Sequence, residues 1–331
     1  MFAFLLMSWS RRILALALVV VLAGLLFVAP TYAQGPVAPA RLELRANHIL
    51  GVLPAMGSAL AKEPATLGNL DYHNGSVMHT NTVYAIYWIP PGYSVSTNYR
   101  ALVNGFFKNV VAARGLTSNV YYSDTQYYDG SGNVRYYSVW GGTYTDTHAF
   151  PGSGCSNPYT AKCLTDSQIQ TEIKRVMGVK LWTPGANKIY FMFTPKNVGS
   201  CSGTACAYTD YCGYHSWMYN SSNKLILYAN MPYAAWANCW TNSQPKPNGD
   251  DADYTISVVS HEQNESITDP TGAGWWNTNN GYENGDNCAW NFGAAIGSTG
   301  FGSYNQAIGT GKYYIQQEWS NASTGCVLTG Y

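Results

Sequence analysis

The apolar positions of this chain follow two periods, and the switches between them mark out its elements. Residues 82–89 are β-branched and aromatic almost throughout and stop at Pro90-Pro91, which predicts a buried strand. Over 98–114 the apolar residues Leu102, Phe106, Val110 and Val111 recur at helical spacing, and Gly115 ends the pattern. Residues 120–128 and 134–140 read as strands on either side of a turn at Asp129-Gly130-Ser131-Gly132. Thr165-Asp166-Ser167-Gln168 opens a second helix, on which Ile169, Ile173 and Val176 share a face. Residues 187–194 and 224–229 are two more strands. A third helix is predicted from about Asp253 to Thr268, ended by Asp269-Pro270. The stretch 271–331 is rich in Gly, Asn and aromatics and reads as loops around one late strand at 313–319. These elements define an α+β class: one disulfide-stapled domain over 67–331, with a mixed, mostly β core and about three helices.

The N-terminal fifth of the pattern is different. Arg11-Arg12, an apolar run over 13–28 and the small-residue site Thr31-Tyr32-Ala33 have the layout of a secretory signal peptide over 1–33. The run is short for a bilayer span, so a secreted, extracellular protein with no membrane attachment after signal removal is expected. Residues 34–66 carry Pro, Ala and isolated charges around a short apolar stretch at 48–53. They read as a linker or small pro-segment, with a disordered tail slightly preferred.

Charge and cysteine content narrow the function classes. Lys plus Arg equals Asp plus Glu, at 18 each. A near-neutral chain lacks the cationic surplus that nucleic acid or anionic lipid demands, so neither is an expected partner. All eight cysteines follow the signal segment, and an even count in an exported chain reads as disulfides. C-x-x-C spacing is absent, which disfavours a cysteine zinc site. Cys155–Cys163 and Cys201–Cys206 are easy local pairs, and Cys212–Cys239 and Cys288–Cys326 would be longer staples. Spacing does not choose among the alternatives. The abundant aromatics suit packing in a β-rich core, and also sugar stacking.

The chemistry concentrates at residues 261–289. His261-Glu262-Gln263-Asn264-Glu265 matches the metalloprotease helix H-E-x-x-H with glutamate in place of the second histidine. Residues four apart stack on a helix, so His261 and Glu265 point the same way and would bind a metal. Asp269 would extend the row if the helix persisted. Glu262 stands where a zinc protease places the general base that takes a proton from metal-bound water. Glu283 and Asp286 are candidates for the third ligand. One histidine with two carboxylates suits zinc, and equally a harder ion such as Mn²⁺ or Ca²⁺. The same run would also fit the solvated face of an amphipathic helix, but Ile256-Ser257-Val258-Val259-Ser260 before it is too apolar for that. Of the remaining histidines His215 is the best candidate, since it follows Cys212-Gly213-Tyr214. Asn74, Asn220, Asn264 and Asn321 begin N-x-S sequons, and glycosylation at Asn264 would be incompatible with a buried site.

Several of these segments occur together in a known order: Tyr72-His73-Asn74-Gly75, then 83–88, 164–169, Cys212-Gly213-Tyr214-His215, 260–265 and 283–288. Over about 70–328 the chain resembles the phosphate-induced protein (EXORDIUM) family. Thr268-Asp269-Pro270 and the cysteine-rich insert at 199–212 resemble a bacterial relative of the plant proteins. The resemblance implies secretion and one shared domain, and it supplies no reaction. Plant members carry similar runs matching His261, Glu262, Glu265, Glu283, Asp286 and Cys288. They often have Asn at the position of Asp269, which counts against Asp269 as a necessary ligand. Two functions fit the chain. One is a zincin-like, metal-dependent peptidase with a peptide substrate. The other is a non-catalytic protein that binds cell-wall glycan or a protein partner, with the cluster as a structural metal clip or hydrogen-bond network.

Overall fold

The computed structural model describes residues 40–62 and 68–330, so the signal-peptide reading of 1–33 lies outside the described residues. In chain order the main elements are α1 (Ala40–Ala46), β1 (Leu50–Pro54), β2 (Asn81–Trp88), α2 (Tyr99–Ala112), β3 (Ser138–Asp146), α3 (Asp166–Lys180), β4 (Lys188–Phe193), β5 (Tyr211–Tyr219), β6 (Leu225–Met231) and α4 (Ala252–Thr268). The strands form one six-stranded mixed sheet in the order β1-β5-β6-β4-β2-β3. β2, β3, β4 and β6 pair in parallel, while β5 is antiparallel to β6 and to β1. Parallel strands need crossover helices, and α2 and α3 supply them between β2, β3 and β4. The α+β class therefore stands.

Alternation along the strands assigns the two faces of the sheet. Tyr214 and Tyr228 point to one side, where both hydroxyls donate to Asp166 at the start of α3, at 2.6 and 2.7 Å. His215 lies on the opposite side, in register with Ala229 and, through it, Phe191. Phe191 packs on Phe107 of α2, with ring centroids 5.0 Å apart. Tyr99 of α2 meets Thr255 of α4 through their hydroxyls at 2.9 Å. α4 thus lies against the sheet on the His215 face, beside α2. Burial of the aromatic residues on both faces supplies the main driving force.

The predicted helices and the strands at 82–89, 187–194 and 224–229 form within a residue or two of their expected ends. The second helix opens with the capping box between Thr165 and Gln168. Other expectations are corrected. Residues 120–126 are 3₁₀-helical, not a strand. Asn119 accepts from the Tyr121 N–H, and Ser123 and Thr125 bond back three residues, which favours a helical turn over an extended chain. The strand expected at 134–140 begins only at Ser138 and runs on to Asp146. The late strand at 313–319 resolves into parts of two hairpins, Gln306–Ile308 with Gly311–Tyr313 and Glu318–Ser320 with Gly325–Val327. Residues 40–54 are a helix and a sheet strand, so the tail reading of that stretch gives way to folded structure.

All eight cysteines are paired, as Cys155–Cys163, Cys201–Cys206, Cys212–Cys239 and Cys288–Cys326. Among the described residues no helix is long and apolar enough to cross a membrane.

Candidate metal centre

Every residue of α4 is buried, so the solvated-face reading of the His-Glu-x-x-Glu run is excluded. A buried helix with this many polar side chains must find partners for them. Away from the motif's ligand row it mostly does. Ser266 Oγ donates to the Glu262 carbonyl (2.6 Å), Asn264 Nδ2 to that of Ser260 (2.7 Å), and Gln263 accepts from Tyr121 OH (2.9 Å). Asn264 is wholly buried, which excludes its sequon in the folded chain. Within the described residues, His261 Nε2, Glu265 Oε2 and both oxygens of Glu262 lack an aligned hydrogen-bond partner.

The structure brings the predicted ligands together. His261 Nε2 lies 2.9 Å from Glu265 Oε2 and 3.8 Å from Asp286 Oδ1. One ligand atom from each of His261, Glu265 and Asp286 falls within 4.8 Å of the others. A second set, His215, Glu262 and Glu265, meets the same limit and shares Glu265. His215 Nδ1 stands 3.5 Å from Glu262 Oε2, so the candidate base is itself a member of the second set. Tetrahedral zinc with bonds of about 2.0–2.2 Å holds its ligand atoms roughly 3.3 Å apart.

Of the two third-ligand candidates, Asp286 joins His261 and Glu265. Glu283 turns toward the N-terminal segment, where its Oε1 accepts from Arg45 (2.5 Å) and from the Gly51 N–H (3.1 Å). Asp269 caps the end of α4 and does not extend the ligand row. Its carboxylate accepts from Gly274 N–H (2.6 Å) and pairs with Arg45.

The loop carrying Glu283 and Asp286 is positioned by a chain of contacts. Asp286 N–H donates to Glu265 Oε1 (2.8 Å), Trp319 N–H donates to the Asn284 carbonyl (2.9 Å), and Cys288–Cys326 ties the loop to the last hairpin. Gly285 lies against the site, where a Cβ would come within 2.6 Å of His261 Nδ1 and 2.9 Å of Glu318 Oε2. Gly51 closes the other side at a φ of +50°, with no space for a Cβ beside Glu265 and His215.

The electrostatics favour an added cation. Asp124, Glu262, Glu265, Asp269, Glu283, Asp286 and Glu318 are all buried here, against the guanidiniums of Arg41 and Arg45. Burial, then the neighbouring carboxylates, push the Glu262, Glu265, Glu283 and Glu318 carboxyls well above the usual range. Burial draws both His215 and His261 down to about 4, which keeps them in the neutral, metal-binding form near pH 7. Gln316, Glu318, Asp124, Arg41 and Arg45 were not legible as site residues, because each lies far along the chain from 261–289 and carries no local motif. Proximity to Cys212 was the one signal for His215.

A scan of protein-family models finds no match to the chain, and searches of curated proteins and of solved structures likewise find none.

Proposed function

We propose that this chain is a secreted, metal-dependent hydrolase acting on peptide bonds, related to the phosphate-induced (EXORDIUM) proteins. One observation carries the reading: His261, Glu265 and Asp286 converge within 4.8 Å, all buried, and His261 Nε2 and Glu265 Oε2 face no polar group aligned to them except each other. Zinc, or Mn²⁺ or Ca²⁺, would be held by these three, and its chemistry would be to acidify bound water and polarise a carbonyl. Glu262, adjacent and without an aligned hydrogen-bond partner, would take the proton in its ionised form, which a bound cation nearby favours. A helix bearing H-E-x-x-E beneath a mixed sheet supports a zincin-like layout, by analogy of architecture. Four disulfides support an extracellular setting.

Elemental mass spectrometry of the purified protein, after incubation with zinc or manganese, tests this. About one ion per chain is expected, lost in His261→Ala and Glu265→Ala. Glu262→Gln should keep the metal and cleave casein about 10²–10⁴-fold more slowly. No metal, even in an Arg41→Ala/Arg45→Ala variant that removes the facing guanidiniums, sinks the reading.

A glycan-binding reading has one observation in its favour. A surface cavity of about 440 Å³ is lined by Trp290, Phe292 and Tyr314, with Phe292 and Tyr314 stacked at 4.9 Å. Binding on a glycan array that is lost in Trp290→Ala, with no metal bound, would put this reading first.

A further inference from the structure

The candidate centre is roofed by the chain's own residues 40–54. β1 adds to the edge of β5 in antiparallel register, Leu50 opposite His215 and Leu53 opposite Gly213, with an irregularity between. That irregularity sets Gly51 over Glu265 and His215. The backbone there is held as an extended peptide is held in strand addition, by sheet bonds along its length and polar anchors at its ends. Its N–H at Gly51 donates to Glu283, Ser216 Oγ donates to the His48 carbonyl (2.5 Å), and Trp290 Nε1 donates to that of Pro54 (2.9 Å). His48 stacks on Trp217 at 4.2 Å.

Its two arginines point at the candidate ligands. Arg41 pairs with Asp286 and donates to the Val52 carbonyl (2.8 Å), which fastens α1 to β1. Arg45 pairs with Asp269 and with Glu283. Both guanidiniums lie over aromatic rings, Tyr282 and Trp276, at 4.4 Å. They supply positive charge where a divalent ion would, and Arg41 occupies Asp286, the residue that would complete the ligand set. A cavity between segment and site, lined by Arg41, Arg45, Gly51 and Asp286, holds about 10 Å³, room for one water at most.

We propose that the edge of β5 beside the acid–histidine cluster is a cleft for an extended peptide, and that residues 40–54 fill it in cis as a latent-state plug. Arg41 and Arg45 stand in for the metal charge, so plug and metal compete. The competition rests on the metallohydrolase reading; the peptide cleft does not. The ligand class is an extended backbone with a glycine over Glu265, since a Cβ there would fall 2.2 Å from its carboxylate.

The test uses the folded chain with a site-specific protease sequence inserted after Gly57, an exposed turn with open space around it. After cleavage, the N-terminal fragment should remain bound on size-exclusion chromatography. In Arg41→Ala/Arg45→Ala it should come away, with affinity about a hundredfold weaker, while the body keeps its near-UV circular dichroism. A synthetic peptide of residues 40–57 should rebind the stripped body, and zinc should compete with it. Loss of the near-UV signal on release, or failure of the peptide to rebind, overturns the proposal and makes β1 an ordinary core strand. Rebinding with no zinc uptake by the stripped body upholds the cleft and removes the metallohydrolase reading instead.

Discussion

Gln316 Nε2 lies 2.7 Å from His261 Nδ1 and 3.0 Å from the carbonyl oxygen of Gly285. A nitrogen that donates to both leaves Nδ1 as acceptor, so the neutral imidazole carries its proton on Nε2, toward Glu265. Ligation through Nε2 needs the other tautomer, with the Gln316 amide turned so that its oxygen accepts from Nδ1–H. Gln316 is therefore the orienting partner of the proposed ligand. Gln316→Leu should weaken zinc binding about ten- to a hundredfold and lower the melting temperature, read by competition with a chelator dye and by calorimetry. Unchanged zinc affinity would remove Gln316 from that role.

Glu172, on α3 and away from the centre, makes the fold sensitive to pH. Burial, with Asp146 close by, raises its pKa from 4.5 to about 7, while Arg175 bridges both carboxylates. The native carboxyl stays protonated where the unfolded one ionises. The stabilisation is thus full below pH 4.5 and is lost as pH rises toward 7. After allowance for solvent screening this amounts to about 1–2 kcal/mol. Urea unfolding at pH 4.5 and pH 7 should show a decline in the wild type that is smaller by this amount in Glu172→Gln. Equal declines would contradict the assignment.

Removing the Cys288–Cys326 bridge by double serine substitution should cost about 3–4 kcal/mol, given a sequence separation of 38. The loop bearing Asp286 is released by the same change, so zinc affinity should fall with stability. Stability lost at unchanged zinc affinity would show that Asp286 is not a ligand.

Two glycine-to-alanine changes should have opposite signs. At Gly285 the new Cβ would crowd His261, Glu265 and Glu318, for a loss of about 1–3 kcal/mol. At Gly105, mid-helix in α2 with nothing within 4 Å of the added atom, a gain of about 0.5–1 kcal/mol is expected. Thermal unfolding of the pair checks both, and a neutral Gly285→Ala would mean the site is looser than described.

The motif helix was legible because its spacing, its apolar lead-in and the Asp269-Pro270 stop agree. The local disulfide pairs were suggested by their short separations, which did not decide between them and other pairings. β5 was not legible. Tyr211–Tyr219 is buried on both faces along most of its length and has few β-branched residues, so no alternation marks it as a strand. With β5 unseen, neither the position of His215 over α4 nor the pairing of β1 follows from the sequence. Residues 120–128 failed for the opposite reason. Their aromatic, β-prone character was overridden by side-chain bonds from Asn119, Ser123 and Thr125. Glu318 and Gln316 reach the site through a hairpin more than fifty residues from His261, and no local pattern encodes that return.

β1 also governs how the molecule behaves in company. At the far side of the sheet, β3 ends the stack with Gly141-Gly142 and a register shift opposite Val83 and Tyr84, which blunts strand-to-strand contact between molecules. At the near side β1 alone, among the described residues, pairs with that edge. A chain stripped of it presents the unpaired backbone of Tyr211–Tyr219, an aromatic strand with few charges, to any neighbour. The same fifteen residues that cover the cluster therefore set the colloidal stability of the protein, and preparations lacking them should be handled dilute.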